Sequence, residues 1–115
     1  MKTPAHPPVS QITVQGILHA LSDPLRMAIF VGIQNAETPC NCSAFLEIDH
    51  KSIPKSTLSQ HFRVLREAGL ITSERKGIEI FNRSRLAEIE PQWGAMIMGI
   101  LQAYIAQLAP QPATK

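Results

Sequence analysis

A mainly α-helical domain carrying one small β-hairpin is the fold class this sequence predicts, and three observations predict it. Apolar residues recur at helical spacing in four long segments of the 115-residue chain. Helix-boundary chemistry stands between those segments, with Asp23-Pro24 suited to a start and Gly69 to a stop. One pair of short extended runs, joined by Arg75-Lys76-Gly77, interrupts the helical pattern. A hydrophobic content of 44% against 17% charged suffices for the core of one domain of this length.

The first helix is expected from about Val9 to Leu21, with Val14, Ile17, Leu18 and Leu21 on one face. Asp23 caps the second, which carries Leu25, Ile29, Phe30 and Ile33 and ends near Asn35. Glu37 to Asn41 connects to a short helix over about Cys42 to Ile48, followed by a turn at Asp49 to Ile53. The next helix, about Pro54 to Ala68, sets Leu58, Phe62 and Leu65 at i, i+4 and i+7, the spacing of a buried stripe. Ser56, Ser59, Gln60 and Arg63 repeat the same spacing on the opposite face. Gly69 suits a left-handed C-cap with Leu70 folding back as its apolar contact. Runs at Leu70 to Glu74 and Ile78 to Asn82 then form the hairpin, and a last helix from about Ile89 to Leu108 closes the chain. Residues 1–8 and 110–115 read as flexible tails around one domain at 9–109.

Charge is unevenly placed. Lys51 to Arg85 holds eight Lys or Arg and three acids, net +5, while the remainder carries three bases and six acids, net −3. Such a segment fits a polyanion. Helix, helix, helix, turn, helix, hairpin, helix is the order of a winged helix-turn-helix, in which an exposed helix enters the major groove of double-stranded DNA. The candidate DNA contacts on that helix are Lys55, Ser56, Thr57, Ser59, Gln60 and Arg63. Gln suits adenine, Arg guanine, and Ser or Thr either bases or phosphates. Arg75 and Lys76 at the hairpin tip are expected on the neighbouring backbone or minor groove.

The stretches Leu21-Ser22-Asp23-Pro24-Leu25-Arg26 and Ser56-Thr57-Leu58-Ser59-Gln60-His61-Phe62-Arg63-Val64-Leu65-Arg66-Glu67-Ala68-Gly69-Leu70-Ile71 resemble the paired signatures of the ArsR/SmtB family. The resemblance covers about Ile12 to Tyr104. It implies a repressor that binds an imperfect inverted repeat as a homodimer, joined through its first and last helices. Ile17, Trp93, Ile97, Ile100 and Tyr104 are the interface candidates, in keeping with the wide apolar stripe of the last helix. His61 occupies the motif's histidine position and reads as a local hydrogen-bonding residue, and His19 as a packing residue.

Many members of that family release DNA when a metal or metalloid binds. Cys40-Asn41-Cys42 is similar to the family's Cys-x-Cys element, which would imply Zn, Cd or As(III) there. The family's third thiolate position holds Phe45 here, so His6 or a partner residue would have to complete the set. A thiol redox sensor and two packing cysteines are the alternatives. No cofactor is required by the reading. The family's other metal site needs Asp and His on the last helix, and Ile89 to Leu108 has neither.

Hydrolytic nucleophile motifs, phosphate-binding glycine loops and dinucleotide fingerprints are missing, which argues against an enzyme. Trp93 to Leu108 is broken by Gly99, Gln102 and Gln107, and the first ten residues lack a signal-peptide pattern. Two cysteines one residue apart make no disulfide framework. A cytoplasmic protein with no membrane partner is expected. A winged-helix protein-interaction module without DNA binding is the rival that keeps the fold, but its exposed helix should be apolar or acidic, not Ser/Gln/Arg.

Overall fold

The structure, a computed structural model, describes residues 5–41, 47–48 and 51–108. The first helix is shorter than its apolar pattern suggests. A 3-10 turn at Val9–Gln11 precedes an extended, buried Ile12, and α1 (Val14–Leu21) starts only after Thr13. The Thr13 hydroxyl oxygen accepts the Gly16 amide at 3.0 Å, so a local cap replaces continued helix.

Helix α2 (Pro24–Asn35) begins as its boundary chemistry dictates. Oδ1 of Asp23 accepts the Leu25 and Arg26 amides at 2.9 and 3.0 Å, with Pro24 at the first helical position. Burial pushes the Asp23 carboxyl up. The Arg26 amide, His61, the Leu25 amide and the Arg26 guanidinium together outweigh that and hold it below the ordinary carboxylate range.

Beyond α2 come β1 (Cys40–Asn41), β2 (Glu47–Ile48) and β3 (Lys51–Ser52). β2 and β3 pair antiparallel, Glu47 against Ser52 and Ile48 against Lys51. The short helix expected at Cys42 to Ile48 therefore ends in strand, and the turn expected at Asp49 to Ile53 contains strand. Residues 42–46 and 49–50 lie outside the described residues. An apolar run this short carries no period that separates helix from strand.

Helix α3 (Lys55–Glu67) buries Leu58, Phe62 and Leu65, each at most 2% exposed. Full burial of such side chains is worth roughly 1.5–3 kcal/mol apiece, which fixes the helix's rotation and leaves the opposite face to solvent. It stops at a complete Schellman cap. Gly69 adopts φ +88°, its amide bonds the Arg66 carbonyl at 3.0 Å, and the Leu70 amide bonds the Leu65 carbonyl at 3.1 Å. A side chain at Gly69 would also collide with Ile12.

The chain then forms β4 (Ile71–Lys76) and β5 (Glu79–Ser84), in a three-stranded sheet ordered β1-β5-β4. The two-residue turn is Gly77-Ile78, with Gly77 at φ +65° and Lys76 opposite Glu79. Helix α4 (Leu86–Leu108) lays Leu86, Ile89, Ile97 and Leu101 on a core shared with Ile17, Leu21, Ile29, Phe30, Ile33, Leu70 and Ile71. No single helix among the described residues is long and apolar enough to cross a membrane.

Candidate nucleic-acid interface

The solvent face of α3 displays Lys55, Ser56, Thr57, Ser59, Gln60 and Arg63, all exposed. Ser56, Ser59, Gln60 and Arg63 line one shallow depression with Val64 and Glu67. The helix starts after Pro54 with no side-chain cap and no acid in its first turn. Its first amides therefore add partial positive charge to Lys55, as a phosphate contact needs. Arg63 Nε donates to Glu67 Oε2 at 3.1 Å, with the two side chains 70% and 64% exposed. So exposed a pair stabilises the helix by no more than about 1 kcal/mol.

Behind this face, Arg26 joins three helices. Its Nε and NH2 donate to the carbonyls of Ala20 and His19 at 2.7 and 3.1 Å, and NH1 lies 3.3 Å from His61 Nδ1. The role expected of His61 thus matches its position: Nδ1 accepts from Arg26 when the ring is neutral and protonated at Nε2. His19 differs from expectation, because its ring is exposed and only its carbonyl is used.

The hairpin presents less positive charge than its sequence suggests. Side chains alternate along β4, and Arg75 shares the face of the buried Ile71 and Ser73. Arg75 is half-buried, with an enclosed Nε, and does not form the tip expected of it. Lys76 points to the other face, where its ammonium stands 5.9 Å over the Phe81 ring. That face also carries Glu74, Glu79 and Arg83. The tip itself is Ile78, 95% exposed. No periodic signal separated tip from strand, since only the register fixes which residues turn.

At the hairpin base, polar groups are buried and partnered. The Ser73 hydroxyl donates to Asn82 Oδ1 at 2.7 Å and accepts from Arg66 NH1 at 3.4 Å. The Ser73 amide donates to His6 Nε2 at 2.8 Å. Arg85, 5% exposed, donates from Nε and NH2 to the two Glu88 carboxylate oxygens and from NH1 to the Pro7 carbonyl at 2.8 Å. The N-terminal stretch expected as a tail is thus tied to the sheet at His6 and to Arg85 at Pro7. Burial, then Arg66 and Arg85, push the His6 pKa down against the opposing pull of Glu88. The Arg85 hydrogen bond to Glu88 in turn holds that carboxyl low, against burial and with help from the Arg85 and His6 charges. Sequence reasoning missed this cluster, whose partners lie up to 78 residues apart.

The interface candidates divide. Ile17 and Ile97 are fully buried within the single chain, at 0% exposure, and offer nothing to a second molecule. Trp93, Ile100 and Tyr104 are half-buried. The apolar side chains left in solvent on the same two helices are Val14 and Leu18 of α1, and Met98, Ile105 and Leu108 of α4. A stripe in sequence does not distinguish the half facing the core from the half facing out.

Cys40 lies in β1 opposite Asn82, and Cys42 falls outside the described residues. His6 bonds Ser73, and Ser73 lies opposite Asn82 on its other side, so His6 and Cys40 flank the sheet from opposite edges. Two strand spacings, about 10 Å, separate the backbone of β1 from that of β4, the strand that His6 bonds. Among the described residues no three His, Cys, Asp or Glu converge as a metal site requires.

Exposed helix, preceding helices, hairpin and long closing helix together make this a winged helix-turn-helix protein. Residues 21–74 match the family model described as a helix-turn-helix domain. The HTH-type transcriptional repressor SmtB of Mycobacterium tuberculosis, in strains CDC 1551 / Oshkosh and H37Rv, is 35% identical over 81 residues, 70% of this chain. The chain spans 57% of the length of those relatives. The crystal structure of an ArsR family transcriptional regulator superposes with a TM-score of 0.59 at 18% identity, covering 92% of this chain and all of the other. That of M. tuberculosis Rv0081 gives 0.58 at 20% identity, covering 90% and 99%. In fold the chain is a winged helix-turn-helix domain, and in sequence it is similar to the SmtB repressors.

Proposed function

We infer that the chain is a transcriptional repressor, not an enzyme, and that α3 carries its contact with double-stranded DNA. One observation carries the reading. Lys55 to Arg63 presents an uncapped helix start and an exposed Ser/Thr/Gln/Arg face free of acids, while the helix's other side is anchored in the core. Gln60 and Arg63 are the base-reading candidates. Lys55, Ser56, Thr57 and Ser59 supply phosphate or base contacts, and Lys76 steadies the flanking backbone.

Recognition of an inverted repeat requires two copies with α3 helices about 34 Å apart. The exposed apolar residues of α1 and α4 supply the dimer surface in this reading, with Trp93, Ile100 and Tyr104 at its margin.

Fluorescence anisotropy on DNA from upstream of the chain's own gene tests this proposal. Tight binding that weakens steeply with salt and exceeds binding to scrambled DNA is expected. Equal, weak binding to both would remove the DNA-reading role and favour a protein partner for the same face.

A further inference from the structure

Glu67 sits where a helix of this kind has least structural use for an acid. It is the last residue of α3, at the negative end of the helix dipole, and 64% of its side chain is exposed. It is also the only acid in Lys55–Glu67. The order of the pair, Arg63 before Glu67, is the less favourable one for a helical ion pair. The contact itself is informative. Glu67 holds Arg63 through Nε, which leaves the NH1 and NH2 edge of the guanidinium for another acceptor. That edge is the one that grips guanine O6 and N7 together. Both residues border the same depression as Ser56, Ser59 and Gln60.

We propose that Glu67 is a positioning residue for DNA recognition, fixing the plane of Arg63 for a guanine edge while its charge keeps that arginine from settling on phosphate. The proposal rests on α3 reading DNA. On correctly placed guanine, the oriented arginine makes two hydrogen bonds without first ordering its side chain. On other sequences the carboxylate stands near the phosphates and repels them. Glu67 therefore acts on discrimination more than on affinity.

The test compares wild type, Arg63→Ala, Glu67→Ala, Glu67→Gln and Arg63→Ala/Glu67→Ala on two duplexes, one selected by the wild-type protein from random sequence and one scrambled. Glu67→Ala should bind the selected duplex several-fold more weakly and the scrambled one several-fold more tightly. Its salt slope on scrambled DNA should steepen by about one unit as Arg63 reaches a phosphate. Glu67→Gln, still able to accept from Nε, should recover binding to the selected duplex but not the repulsion. With Arg63 absent, losing Glu67 should tighten both duplexes equally. Equal changes on both duplexes in Glu67→Ala, with unchanged salt slope, would overturn the proposal. A wild-type protein that selects no preferred duplex would instead remove the DNA-reading role on which it stands. Thermal unfolding of all variants is expected to stay near wild type, because both side chains are largely exposed.

Discussion

The face of α3 and the base of the hairpin use the same residue types to opposite ends. At the base, Ser73, Asn82 and Arg85 are buried, with Ser73 bonded to Asn82 and Arg85 to Glu88. On the helix face, Ser56, Ser59, Gln60 and Arg63 are exposed, and Arg63 bonds Glu67 of the same helix. A buried arginine without its acceptors is strongly destabilising, so Arg85 must be satisfied for the chain to fold. A solvated arginine can wait for an acceptor from outside. The contrast also corrects the charge reading: Arg85 and half-buried Arg75 count toward the +5 segment but are not presented as Lys55, Arg63 and Lys76 are.

The sharpest way to break this comparison is to exchange consequences between the two arginines. Arg85→Met removes the fork on Glu88 and the bond to the Pro7 carbonyl. It should lower unfolding free energy by roughly 2–4 kcal/mol, measured by urea titration. Arg63→Ala should leave that titration within about 0.5 kcal/mol of wild type, as surface substitutions do. On specific DNA, however, it should cost about 1–3 kcal/mol by anisotropy. Equal folding penalties from the two substitutions would erase the distinction.

Lys76→Ala sharpens the comparison at the hairpin. It should weaken binding to all sequences alike and reduce the salt slope by about 0.9, the signature of one phosphate contact. Arg75→Ala should leave that slope unchanged, because its side chain turns toward the buried face.

The smallest expected effect belongs to His6. Its Nε2 accepts the Ser73 amide, so the ring must be neutral, and its folded pKa lies below the ordinary value of about 6.5. Between the folded value and 6.5 the unfolded chain binds more protons, so stability rises with pH across that window. It is lost as pH falls from 6.5 toward the folded value. His6→Ala should flatten this slope in unfolding measured at stepped pH. An unchanged slope would mean that the strap contributes nothing through the ring.

Signals confined to a few consecutive residues were legible in the sequence. Asp23-Pro24 and Gly69-Leu70 form the caps their chemistry specifies, and Leu58, Phe62 and Leu65 set the rotation of α3. Features decided by distant partners were not. Pairing of Glu47–Ile48 with Lys51–Ser52 replaced helix by strand, register alone turned Arg75 inward, and His6 meets Ser73 across 67 residues. Ile17 and Ile97 were misplaced for a related reason, since one apolar stripe serves both core and surface. The domain limits of 9–109 also miss the hold on residues 6 and 7.

Amide chemical-shift mapping of the wild-type protein during titration with a short duplex that it selects tests the central claim most directly. The account predicts the largest shifts in Lys55 to Arg63, smaller ones around Lys76, and little change at Ser73 and Arg85. Shifts centred on Val14, Leu18 and Ile105, with α3 unmoved, would contradict it.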